Sequence, residues 1–387
     1  MQISPSTLRN FLKGIPVDRE IFKLICEGLG LKWNDVADPG ADEDAAEAEP
    51  HQDEILVYPE GSLPKTSRLY VQRPGEERAL VELCQPGGLV RIYAPRRMGK
   101  TSLLSRLLGQ AEGLNAQSAY LDLTQAGEAF GDLASFLKWF CDSVALEVKH
   151  DVDLDVYEQI VERYGSSHGC KIYFKQYLLP EVEQTVFLGL DRVDELIKYP
   201  ELCREFLGLL RLFREDSRHS SVFAKLRLIL VYSKDIEVYV PLPIDRSPFS
   251  VGFLVELPEF TAPQVLELAE LYRLQWSDTE VQSLMSLVGG HPFLVRLALY
   301  HIACQDTTLP ELLETAPSRV GYYGEYLQVL SQKPELLTAM QKVVAGDSTD
   351  LNEITQHDLY SLGLVKFEGN AVIPSCELYR QYYQNLQ

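Results

Sequence analysis

Leu89 to Leu108 reads LVRIYAPRRMGKTSLLSRLL, and the fold turns on it. Leu89 to Tyr93 is a short apolar run of the kind that makes a buried strand. Ala94-Pro95-Arg96-Arg97-Met98-Gly99-Lys100-Thr101 follows, and then Leu103, Leu104, Leu107 and Leu108 recur at helical spacing. Strand, tight loop and helix, in that order, are the setting of a phosphate-binding loop. The residue types suit that chemistry. Amides at a helix start point outward with partial positive charge. Gly99 lets the backbone close around a phosphate, Lys100 reaches the β and γ phosphates, and the Thr101 hydroxyl can ligate Mg²⁺. Pro95, Arg96, Arg97, Met98 and Ser102 complete the expected cradle. Ala94 stands where such loops usually begin with glycine, which alanine tolerates while its φ stays negative. The competing reading is a basic loop before a surface helix, and the flanking strand and helix weigh against it.

At 387 residues the chain suggests two or three domains. Its formal net charge of −20 argues against a general binder of nucleic acid or membrane surfaces, leaving room only for a local basic patch. Seven cysteines are scattered without a CxxC pair, which disfavours zinc and a disulfide framework and fits reduced thiols in a cytoplasmic protein. MQISPSTLRNFLKG has no long apolar core, so a signal peptide is not expected. No apolar run approaches the length of a membrane span.

Residues 4 to 37 read as three short helices, with Ser4 and Asp18 as caps and Pro5 at a first helical position. SPSTLRNFLKG, VDREIFKLICEGLGL and WNDVAD resemble the second half of a repressor-type helix-turn-helix. The two helices that would precede it in that family are absent before Met1, and Arg9, Lys13, Arg19 and Lys23 are few for a DNA contact. A small interaction or packing module over 1–37 is the main expectation and DNA binding the weaker one, with disorder or an artefact of the start site remaining. Residues 38–55 are acidic and poor in large apolar groups, as a flexible linker is.

Beyond the loop, Ala119–Leu123 reads as a strand, and a mostly helical stretch runs to about Glu183. There Phe136, Leu137, Phe140, Val144 and Leu146 form one expected apolar face, and Tyr157, Ile160, Val161 and Tyr164 another. Thr185–Asp191 (TVFLGLD) is an apolar strand ending in a carboxylate, the Walker B pattern, in which Asp191 holds Mg²⁺ through water. A nucleotide hydrolase also needs a carboxylate that orients or deprotonates water. Arg192 occupies the adjacent position where many P-loop ATPases have glutamate, so Asp194 or Glu195 is the candidate base; both acids could equally cap the next helix. Leu226–Tyr232 is another buried strand, and Ser233 at its end is placed to sense a γ-phosphate or merely to turn the chain. A last strand is expected over Val251–Leu257. Five strands, with the phosphate loop and Asp191 on separate ones, predict a parallel sheet with helices on both faces.

From Thr261 the chain reads as helical, with Gly290 ending one helix and Pro292 starting the next. His291 reads as a capping or interface residue. In residues 334–387, Leu351–Leu362 reads as a helix and Gly363–Phe367 as a strand. Ala371–Pro374 pairs back, and Ser375 caps a last helix, which together suggest a winged helix.

Taken together, YVQR-x-GEE, APRRMGKTSLL, FLGLDRVDEL, LILVYSKD, SPFSVG and GGHPFLVRLAL resemble the AAA-like P-loop ATPases common in cyanobacteria, relatives of the STAND signal-transduction class. The resemblance covers about residues 56–385. It implies an α/β P-loop NTPase domain over 56–258, a helical lid over 259–333 and a winged helix over 334–387. It further implies that Val71 and Arg73 border adenine and that Pro292 lies on the base. ATP or ADP with Mg²⁺ would be bound, ATP hydrolysed slowly, and the nucleotide state read out by domain rearrangement. Such proteins often assemble and carry an effector or sensor. Here that partner is expected to be a separate protein, or one recruited by the N-terminal helices, with self-association also open. The alternatives are a DNA-associated or transposition-type ATPase and a scaffold that binds nucleotide without hydrolysis.

Overall fold

Five parallel strands lie in the order β2-β3-β4-β1-β5. They are β1 (Leu89–Tyr93), β2 (Ala116–Asp122), β3 (Thr185–Asp191), β4 (Leu226–Tyr232) and β5 (Phe253–Glu256). The computed structural model describes residues 57–148, 154–318, 323 and 327–386. These belong to one compact unit, Ile55–Gln387. The expected helical module of 1–37 and linker of 38–55 lie outside the described residues.

β1, β3 and β4 have the expected limits. β2 begins three residues before the expected Ala119, and β5 is shorter than Val251–Leu257. Pro248–Ser250 forms a 3₁₀ turn and Gly252 takes φ 76°, so pairing starts only at Phe253. Both faces of the sheet are covered. Along β4, Leu226, Leu228, Leu230 and Tyr232 enter one core and Ile229 and Val231 the other. This explains an uninterrupted apolar strand whose side chains still alternate.

On one face lie α1 (Glu76–Leu83) and α2 (Lys100–Gly113). Leu103, Leu104, Leu107 and Leu108 of α2 are all buried. Gly189 of β3 permits this approach, because a Cβ there would sit 2.7 Å from Leu104 Cδ1. The other face carries α3 (Leu133–Glu147), α4 (Leu154–Tyr164), α5 (Ser166–Tyr173) and α6 (Pro200–Asp216). Phe136, Leu137, Phe140 and Val144 are fully buried, but Leu146 is 76 % exposed. It lies two residues past Val144, which on a helix is the opposite side. Tyr157 and Ile160 are buried, whereas Tyr164, the last residue of α4, faces out.

Beyond the sheet come α7 (Ala262–Leu271), α8 (Asp278–Val288), α9 (Pro292–Ala303) and α10 (Leu309–Thr315). Capping boxes at Thr261/Gln264 and Ser277/Glu280 start α7 and α8. Gly289 with φ 63°, rather than Gly290, closes α8. Gly290 packs flat against Phe260, whose amide donates to the Gly290 carbonyl. Then α11 (Pro334–Val344), α12 (Glu353–Ser361), an antiparallel hairpin of β6 (Val365–Glu368) and β7 (Ala371–Pro374), and α13 (Glu377–Gln384) form a C-terminal lobe. Cys376 occupies the cap position expected of Ser375, whose hydroxyl instead donates to the Gly363 carbonyl at 2.7 Å. One apolar cluster joins α7–α13 and includes Leu69 and Val71 from ahead of α1.

The six described cysteines are free, and the sulfurs of Cys141 and Cys170 lie 3.4 Å apart. Among the described residues, no helix is long and apolar enough to cross a membrane.

Candidate functional site

The loop between β1 and α2 opens at the C-terminal edge of the sheet, the end at which ligands sit in open α/β sheets. Ala94, in place of the first glycine, is buried and is not among the described residues with positive φ. Arg97 and Gly99 do take positive φ, 63° and 91°. A Cβ on Gly99 would meet no protein atom within 4 Å, so backbone conformation selects glycine there. α2 begins immediately, at Lys100, which leaves its first amides facing the loop's hollow.

That hollow belongs to a cavity of about 810 Å³. Its lining includes Val71, Arg73, Arg96 to Ser102, Asp191, Arg192, Asp194, Glu195, Ser233 and Pro292. Of the site residues expected from sequence, only Pro95 is not part of this lining. Its carbonyl accepts from Lys100 Nζ at 2.7 Å, and its side chain faces Gly363 of the C-terminal lobe.

β3 brings Asp191 opposite the start of α2. Thr101 Oγ1 donates to Asp191 Oδ2 at 2.8 Å, and the Tyr120 hydroxyl donates to the same oxygen at 3.3 Å. The Arg192 amide holds the other carboxylate oxygen at 2.8 Å. Arg192 itself takes φ 56°, and its side chain turns out toward Asp122 at 3.6 Å. Lys100 is 9 % exposed, and burial lowers its pKa to about 8, opposed by Asp194 and Asp191.

The two candidate bases part company. Asp194 accepts from the Ser233 amide at 3.2 Å, so the ends of β3 and β4 are joined at this carboxylate. Burial raises its pKa, opposed by the Ser233 amide and Lys100. Glu195 is paired with Lys198 one helical turn on. Arg73 is 5 % exposed, donates to the Pro258 carbonyl and stacks 4.6 Å over the Phe260 ring. Burial lowers its pKa to about 10. Ser102 uses its hydroxyl structurally, accepting from the Leu63 amide at 3.0 Å.

Sequence reading missed several wall residues. Pro59 to Leu63 form a strap along the cavity, and Tyr120, Phe260, Phe293 and Arg296 also line it. The Arg97 guanidinium lies 4.6 Å over the Phe293 ring, and Arg296 donates to the Tyr272 hydroxyl at 3.1 Å. No local pattern marks these residues, because separate segments, the strap, β2 and α9 among them, bring them together only in the folded chain.

The C-terminal lobe closes over the same loop. The Arg96 amide donates to the Ser361 carbonyl at 2.8 Å. Lys234, next to Ser233, pairs with Asp358, which also accepts from the Tyr239 hydroxyl at 2.9 Å. His291 is 5 % exposed, with no hydrogen-bond partner on Nδ1. Burial, with help from Arg97, lowers its pKa to about 4.

Known structures bear on the fold. The Walker-type ATPase PABY2304 of Pyrococcus abyssi is similar with a TM-score of 0.55 at 16 % identity, over 83 % of this chain and 98 % of that one. The Aeropyrum pernix ORC2 protein, in ADPNP–ADP complexes, gives 0.46 at 15 % identity, over 86 % of this chain and 97 % of that one. No curated protein sequence matches the chain. The AAA-like domain family matches residues 58–385, which spans the sheet, the cavity and the C-terminal lobe. The chain belongs to the AAA-like domain family, on the P-loop ATPase fold.

Proposed function

We propose that the chain is an ATP-binding molecular switch that holds ATP or ADP with Mg²⁺, hydrolyses ATP slowly and passes the state of the terminal phosphate to its C-terminal lobe. The cavity chemistry supports a nucleotide. Lys100 and the amides after Gly99 suit the β and γ phosphates, while Val71, Arg73 and Pro292 flank the base end. Thr101 and Asp191 fit Mg²⁺, because their oxygens already converge at 2.8 Å. A bound Mg²⁺ would neutralise charge between the phosphates.

Asp194 is the carboxylate to orient the attacking water, and Ser233 the group to sense the γ-phosphate. Water oxygen bonds to the γ phosphorus as the bond to the β–γ bridging oxygen breaks. Glu195, committed to Lys198, is the weaker candidate. Arg192 in place of the adjacent acid fits slow turnover.

One observation carries the switch: the C-terminal lobe grips the phosphate loop through Ser361 and the end of β4 through Asp358. Its helices and hairpin suit a winged helix, packed as a reporter of nucleotide state, as in the STAND class. Moving such an equilibrium from 1:99 to 99:1 takes about 5.5 kcal/mol of differential affinity. The triphosphate contacts are of the right kind to contribute it. The output would be association with a separate effector or sensor protein, or with further copies of the chain, in the cytoplasm. The test is calorimetric titration with Mg-ATP and Mg-ADP: both should bind the native chain, and Lys100→Ala should abolish binding. Unaltered binding by that variant would refute the site.

A further inference from the structure

Glu76 is a buried carboxylate that the phosphate chemistry does not use. It is 4 % exposed at the first turn of α1. A favourable place on the helix dipole accounts for an acid at that position, but not for its burial. Its partners account for that. Glu76 Oε2 accepts from the Tyr70 hydroxyl at 2.8 Å and from the Arg73 amide at 3.4 Å. Glu76 Oε1 is 3.5 Å from Arg106 Nε. The Arg106 guanidinium also covers the Tyr70 ring at 5.0 Å.

These partners come from two places. Tyr70 and Arg73 bracket Val71, which is 3 % exposed and lines the cavity. Arg106 lies on α2, whose first residues, Lys100 to Ser102, line the same cavity. The Leu63 amide, bonded to Ser102 Oγ at 3.0 Å, ties the strap to the same helix. Two parts of the cavity wall, the Tyr70–Arg73 segment and the helix that begins at Lys100, are therefore joined through one carboxylate, and Glu76 is the pin.

We propose that Glu76, through Tyr70 and Arg106, is a positioning residue for nucleoside recognition: it sets the spacing between the base wall at Val71 and the phosphate cradle. This rests on the ATP-binding reading above. A triphosphate without a nucleoside needs only the cradle, whereas ATP needs cradle and wall at a fixed separation. Loss of the pin thus costs affinity for ATP and leaves affinity for tripolyphosphate in place.

The experiment is a titration of the full chain with Mg-ATP and with Mg-tripolyphosphate. In Glu76→Ala, ATP affinity should fall about tenfold or more, and tripolyphosphate affinity should change less than about twofold. Glu76→Gln, which can still accept from Tyr70, should recover part of the loss. Tyr70→Phe and Arg106→Gln, milder changes, should move ATP affinity in the same direction and decide the matter if Glu76→Ala fails to fold. Parallel loss of both ligands, or no change in either, overturns the proposal. A native chain that binds neither ligand overturns the nucleotide reading itself, and this inference with it.

Discussion

At the scale of single residues, the two acids after Asp191 separate cleanly. Asp194 is joined to the end of β4 through the Ser233 amide and feels the Lys100 charge; Glu195 is spent on Lys198. Asp194→Asn should therefore lower steady-state ATP hydrolysis by about 10²-fold or more while ATP still binds. Glu195→Gln should lower it far less, and the reverse order would reassign the base. Lys100 adds a proton linkage. Burial lowers its pKa to about 8. An anionic phosphate favours the ammonium form and raises that pKa on binding. The complex then holds more protons than the free protein above about pH 8, so nucleotide affinity should fall as pH rises through that region. Calorimetry in two buffers of different ionisation enthalpy should report proton uptake, and proton release would contradict this assignment.

At the scale of elements, the contact that matters is α12 against the loop after β1 and the end of β4. Asp358 gathers Lys234 and Tyr239, and the Tyr93 and Tyr360 rings meet at 6.2 Å. The pair is partly exposed, at 28 % for Lys234 and 26 % for Asp358. Exposure of that order limits such a pair to about 1 kcal/mol or less, a shift of roughly fivefold in a docking equilibrium. Asp358→Asn should thus loosen the lobe without unfolding it. The measurements are faster hydrogen exchange in α12 and a changed ratio of ATP to ADP affinity; unchanged values of both would mean that the contact is passive. The backbone bond from Arg96 to Ser361 persists in that variant, so the effect should be partial.

At the scale of the whole molecule, charge and burial tell different things. A formal net charge of −20 repels a polyanion, and the described basic residues near the cavity are largely engaged: Arg73 with Pro258, Arg97 over Phe293 and Arg106 with Glu76. The full chain should show no salt-steep binding to duplex DNA near physiological ionic strength. Affinity that falls steeply with added salt, followed by fluorescence anisotropy, would favour the DNA-associated alternative instead. Burial divides the core of the described residues into three clusters. Two flank the sheet, while the third runs from the lid through the C-terminal lobe and takes in Val71. That third cluster ties Val71, a cavity-lining residue, to the helices after β5, so under the proposed reading a rearrangement of those helices and the lobe would be felt at Val71.

The chain's own pattern was enough for a five-stranded parallel sheet and the phosphate loop, though not for the limits of β2 and β5. β1, β3 and β4 have their expected ends because a strand buried on both faces must be continuously apolar, and such a run is visible in one dimension. The loop was legible because glycine at φ 91°, lysine and threonine are demanded locally. Other features depend on side chains distant in sequence. Glu76 meets Arg106, Asp194 meets the Ser233 amide, Lys234 meets Asp358, and Arg296 turns into the cavity only through helix packing. No local spacing encodes such meetings, since each depends on where two separately formed elements come to rest against a shared core.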